Sequence, residues 1–106
     1  MTRTVQELPR AIADVQHIAN WIHEHSPQGA MSWLDAYDDM VARLASDAEQ
    51  FGAAPERHAE FDIRQALFKT RRGRIYRSLF IIDADQVYIL RVRGNYCQML
   101  CSDFVS

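Results

Sequence analysis

The period of the apolar positions changes once along the chain, from 3.6 in the first half to 2 in the second. From Pro9, which suits a first helical position, apolar residues recur at Ile12, Val15, Ile18, Ala19 and Ile22, and the stripe fades near His25. Leu8 before it is a poor N-cap. Ser26 followed by Pro27 is a clearer start, and it opens a second stripe of Ala30, Trp33, Leu34, Tyr37, Val41, Leu44 and Ala45. With a residue or two between them, the two helices are expected to form an antiparallel hairpin. Thr4 and Val5 give residues 3–7 a faint strand signal, and residues 46–60, with Gly52 and Pro55, read as a surface connection.

Beyond that connection alternation sets in. Phe61, Ile63 and Leu67 alternate with Asp62 and Arg64; after a turn at 70–73, residues 75–82 form a strongly apolar strand. Asp83, Ala84 and Asp85 make a tight turn, 87–93 give a third strand and 98–104 a fourth, so consecutive pairing produces a meander. The expected fold is a single α+β domain over residues 1–106, an N-terminal helical hairpin packed on one face of a small antiparallel sheet.

Length and composition narrow the class. A chain of 106 residues can bury roughly 65% of its unfolded surface around one core. Its longest apolar run, residues 79–82, is too short to cross a bilayer, and no apolar block follows a basic start, so a cytoplasmic protein without membrane attachment is expected. Cys97 and Cys101 in an extended segment would stand about 13 Å apart, beyond disulfide reach. No metal and no cofactor are expected: His23 and His25 point to different sides of a helix, and His17 and His58 lack partners at ligand spacing. Gly73 and Gly94 are isolated turn glycines, not a phosphate loop, and Ser26 reads as a cap, not as a nucleophile. Asp38 and Asp39 read as a solvated face, Trp21 and Trp33 as core.

Charge changes the picture more. Residues 1–60 hold four arginines against ten acidic residues; residues 61–106 hold eight basic residues against four aspartates. A basic, strand-rich half beside an acidic, helical one calls for an anionic partner. Arg71, Arg72 and Arg74 surround the turn at Gly73, while Arg64, Arg77, Arg91 and Arg93 lie within strands. Along the third strand Val87, Ile89, Arg91 and Arg93 are expected to share one side; along the second, Ile75, Arg77, Leu79 and Ile81. An arginine on an apolar strand face must reach an acid, a carbonyl or a ligand, since a bare buried charge is too costly. The partner is either the acidic helical half of the same chain, or an acidic protein segment or nucleic acid.

Two stretches resemble the RelE/ParE toxin superfamily of bacterial type II toxin–antitoxin systems, most closely its ParE-like, plasmid-stabilisation branch. One is Pro9-Arg10-Ala11-Ile12-Ala13-Asp14-Val15 with Ile18-Ala19-Asn20-Trp21-Ile22, Ser26-Pro27, Ala30 and Trp33-Leu34-Asp35-Ala36. The other is Ile63-Arg64-Gln65-Ala66-Leu67, then Arg71-Arg72-Gly73-Arg74-Ile75-Tyr76-Arg77-Ser78-Leu79-Phe80-Ile81-Ile82-Asp83 and Val87-Tyr88-Ile89-Leu90-Arg91-Val92-Arg93. The resemblance covers most of residues 9–93 in order. It implies a growth-inhibiting toxin held inactive by a cognate antitoxin with an acidic, amphipathic tail, in a toxin–antitoxin hetero-oligomer. ParE-like members poison DNA gyrase; RelE-like members cut messenger RNA on the ribosome.

After Arg93 the chain departs from the branch. A histidine, a glycine and a further base are usual there, but this chain reads Gly94-Asn95-Tyr96-Cys97-Gln98-Met99-Leu100-Cys101. Cleavage of RNA needs a group to activate the ribose hydroxyl and cations for the developing charge. Arg77 and Arg93 could supply the cations, but Tyr96, with an ordinary pKa near 10, is a weak acid–base group. Binding of gyrase therefore ranks ahead of endoribonuclease activity, and third stands an inactivated toxin that serves only as an antitoxin-binding module. The expected binding surface is Arg64, Arg71, Arg72, Arg74, Arg77, Arg91 and Arg93.

Overall fold

The computed structural model describes residues 2–71 and 73–94. In chain order they form β1 (Thr4–Glu7), α1 (Pro9–His25), α2 (Pro27–Asp47), a 3-10 turn (Ala48–Gln50), β2 (Arg64–Phe68), β3 (Tyr76–Asp83) and β4 (Gln86–Gly94). Ser26 sets the break between the helices. Its N–H donates to Ile22 O at 2.7 Å, closing α1, and its Oγ accepts from the Gly29 N–H at 3.0 Å, opening α2. Leu8 caps α1 with its backbone alone, as its side chain requires. The expected helical hairpin is present and both helices begin where expected; α2 runs on past Ala45 to Asp47.

The sheet runs in the order β1-β4-β3-β2. β2, β3 and β4 make the expected antiparallel meander, but β1 lies parallel to β4, so the sheet is mixed. The faint strand at the N-terminus thus supplies the fourth strand; the strand expected at 98–104, like Tyr96 and both cysteines, lies outside the described residues. A parallel neighbour is possible because everything between β1 and β4 serves as the crossover. β1 is anchored by Arg3 Nε donating to Ala84 O and by the Thr4 N–H donating to Asp85 O. Ala84 itself adopts φ 56°, the left-handed conformation that lets the β3–β4 turn close in two residues.

One face of the sheet packs on the helices. Trp33 and Tyr37 of α2, Phe68 of β2 and Tyr76 of β3 form an aromatic cluster, with Trp33 at 5.6 Å from Phe68 and 5.4 Å, edge-on, from Tyr76. Ala66, Phe80, Val87, Ile89 and Val92 complete this core with Met40 and Leu44. Met40 lies outside the stripe expected for α2 yet is buried, whereas Leu34 of that stripe and Ile12 of the α1 stripe are exposed. α2 reaches both outer strands, β2 and β1. α1 packs against β4; Ala11 is its one fully buried residue, and Trp21, expected in the core, is 47% exposed.

Two parity expectations need correction. In β2 the core takes Ala66 and Phe68 and leaves Leu67 exposed, the reverse of an alternation through Phe61, Ile63 and Leu67. In β4, Phe80 pairs with Ile89 but Leu79 pairs with Arg91, so Leu90 is an extra residue in a β-bulge. The bulge reverses the facing of residues 91–93. Val87, Ile89 and then Val92 face the helices, while Arg91 and Arg93 join Arg77 and Leu79 on the opposite face.

Candidate functional site

Among the described residues, the arginines of the expected surface stand in different surroundings. Arg64 is turned to the helix side, where Nη1 donates to Glu49 O at 3.0 Å and Phe51 O at 2.8 Å, satisfying carbonyls left open where the helical segment ends. Arg91 is held by Asp14 of α1 through Nε at 2.8 Å and Nη2 at 3.1 Å. The same carboxylate accepts the Val92 N–H at 2.9 Å. β1 ends at Glu7, opposite Ile89, so Asp14 takes over as acceptor where β4 outruns its parallel neighbour. This bond is the chief reason that the Arg91 guanidinium is raised above its ordinary value.

Among the described residues Arg77 is the most enclosed cation, 1% exposed although it lies on the face turned away from the helices. Glu56, from the connection before β2, grips it with both oxygens: Nη1 donates to Oε1 at 2.8 Å and Nη2 to Oε2. Gln65 Oε1 accepts from Nη1 at 3.2 Å. Arg93 stands directly across from Arg77. Glu56 is held below the usual carboxylate range, first by its bond with Arg77 and more weakly by the fields of Arg77 and Arg93. Arg77 and Arg91 therefore fall to the reading in which the chain pairs its own charges, and Arg64 is taken up by backbone carbonyls. In this structure their side chains are engaged within the chain.

Arg71 and Arg74 are exposed at the β2–β3 turn, and Arg72 lies outside the described residues. The turn closes through the Gly73 N–H to Thr70 O at 3.2 Å, and a side chain at 73 would collide with Thr70 Oγ1, which accounts for the glycine. Between this turn and the tip of the helical hairpin runs a groove of about 540 Å³, lined mainly by apolar atoms of Trp21, Ile22, Trp33 and Tyr76, with Thr70 and Arg74 at its rim. Trp21 leans on His25 at 4.7 Å between rings, and His25 Nδ1 donates to Trp21 O at 2.9 Å. An open apolar trough with Arg74 at its edge suits an amphipathic segment carrying acids.

No family model matches the chain, and no curated protein matches it. A solved structure does: the chromosomal ParDE TA system from P. aeruginosa aligns over 88% of this chain and 96% of that one, with TM-score 0.68 and 18% sequence identity. The fold is ParE-like. Among the described residues, no group of histidine, cysteine or acidic side chains is arranged to hold a metal, and no helix is long and apolar enough to cross a membrane.

Sequence reasoning does not single out Asp14, Glu56 or Gln65. Asp14 is a polar position on an amphipathic helix and Glu56 one acid in a polar connection. Each gains its role from an arginine brought to it by the sheet.

Proposed function

We propose that this chain is the toxin of a toxin–antitoxin pair, neutralised by an antitoxin whose acidic, amphipathic tail lies in the groove between the helical hairpin and the β2–β3 turn. The observation that carries the reading is the ParE-like fold over nearly the whole chain. The groove supports it, because its apolar floor and the exposed Arg71 and Arg74 match such a tail. The target is DNA gyrase, acted on by binding. Of the two cations that RNA cleavage would recruit, Arg77 is enclosed and gripped by Glu56, which leaves it poorly placed to meet a phosphate. Cytoplasmic action follows from such a target.

Expression alone is expected to arrest growth with DNA-damage signalling and gyrase-dependent DNA breaks, while messenger RNA on ribosomes stays intact. Co-expression with the neighbouring reading frame restores growth and yields a stable complex. Charge reversal at Arg71 and Arg74 weakens that complex. Codon-specific cuts in toeprint mapping of translating ribosomes, abolished by Arg77→Ala, would replace gyrase with messenger RNA as the target. No growth arrest together with a stable complex would make the chain an antitoxin-binding module.

A further inference from the structure

The connection from the 3-10 turn to β2 is closed at its base and loose at its tip. At the base the Ala54 N–H donates to Ile63 O at 2.9 Å and the Gln65 N–H to Gly52 O at 3.1 Å. From residue 57 to residue 62 every position is exposed. The tip supports itself locally: the Glu60 N–H donates to His58 Nδ1 at 3.0 Å, and the His58 ring rests on Phe61 at 5.0 Å. Among the described contacts, the carboxylate of Glu56 is what ties this excursion to the sheet, through Arg77.

The receiving end is built for a carboxylate. Two terminal nitrogens of Arg77 meet two oxygens of Glu56 in the parallel fork that guanidinium and carboxylate favour, and Gln65 braces Nη1 from the neighbouring strand. Arg93 opposite adds a second positive charge. Two like charges set across a strand pair repel each other, so an anion between them relieves the repulsion whichever molecule supplies it. Beside Glu56 a cavity of about 250 Å³, lined in part by Ala54, Phe61 and Ile63, leaves the side chain room to turn out.

We propose that Arg77, Gln65 and Arg93 form a carboxylate-binding site that Glu56 occupies from within the chain, and that its external ligand is an aspartate or glutamate of a partner protein segment. That ligand enters by exchange as the 55–62 excursion swings away on its closed base. The identity of the ligand rests on the partner-binding reading above; the site itself rests on this geometry. A partner acid then has two places to bind, the exposed turn arginines and this guarded centre, and the second opens only to a ligand that outcompetes Glu56.

The site is tested by chemical rescue with formate as the probe. Glu56→Ala empties it, and sodium formate, compared with sodium chloride at equal ionic strength, is expected to raise the variant's Tm saturably, by about 4 °C at a threefold excess over Kd. The wild type and the Glu56→Ala/Arg77→Met double variant show no such rise. Absence of a saturable rise, or an equal rise in the double variant, overturns the site; a rise with phosphate and none with formate overturns the ligand class. If Glu56→Ala does not fold, Glu56→Gln keeps the volume and removes the charge, and tryptic cleavage after Arg57 is then expected to be several-fold faster than in the wild type. An unchanged rate overturns the tether. No arm uses a partner, so failure here is distinguishable from failure of antitoxin capture.

Discussion

Toward the helices, Trp33, Tyr37, Phe68 and Tyr76 meet ring on ring and Phe80 meets Phe51; on the opposite face Arg77, Leu79, Arg91 and Arg93 stand in adjacent rows. The first face is closed by shape and apolar area. The second is closed by charge, with Glu56 from a loop and Asp14 from a helix reaching the arginines that the strands present. A packed apolar face is insensitive to pH and costly to open, whereas a face held by carboxylates depends on their ionisation and can exchange one anion for another. That difference places any adjustable behaviour on the charged side and leaves the helix side to hold the fold.

The largest effect is expected from Phe80→Ala, which removes a fully buried ring from the helix side and costs about 3–5 kcal/mol in denaturant unfolding. A loss under about 1 kcal/mol would mean that this face is not the stabilising one. Asp14→Ala comes next, at about 2–3 kcal/mol, because two bonds to Arg91 and the Val92 N–H lose their acceptor together. Asp14→Asn should recover only part of this, since a neutral amide oxygen cannot match a carboxylate toward Arg91.

A smaller, pH-dependent effect sharpens the contrast. Folding holds the Glu56 carboxyl below its ordinary value of 4.5, so its stabilisation is complete above that value and disappears as pH falls through the folded one. The Tm gap between wild type and Glu56→Gln should therefore be widest near neutrality and close in acid, while the gap for Phe80→Ala persists across the same range. A Glu56→Gln gap that stays constant into acid would show that the carboxylate charge is not what closes this face. The smallest effect is Arg71→Glu, expected to change stability by no more than about 0.5 kcal/mol while weakening the proposed antitoxin complex, because this arginine is exposed at the turn.

Local signals are legible in the sequence, and the long-range ones are not. Pro9, Ser26 and Pro27 act within a turn or two of backbone, and both helices begin where they indicate. The Leu90 bulge carries no mark of its own, because it exists only relative to β3, and so strict alternation puts Arg91 and Arg93 on the wrong side. β1 is faint for a related reason: it is short and largely exposed, and its strand identity comes from β4. The charge split does point to the arginines, and it requires a partner for each one buried within a strand, as Arg77 and Arg91 have. Which acid answers which arginine depends on strand register and on the path of the 51–63 connection, neither of which has a local pattern.

The placement of β1 bears on the order in which the chain can fold. Its strand neighbour is β4, and Gln6 bonds to Gln86 across 80 positions of sequence. A nascent chain can form the helical hairpin early, since its contacts are local, but the first strand must wait for the last described one before it has anywhere to pair. The clasp of Asp14 on Arg91 and Val92 waits with it. Closure of the sheet, and with it a finished surface on either face, is thus deferred until synthesis has passed β4, so a truncated product that stops short of residue 86 has a helical hairpin and no completed fold.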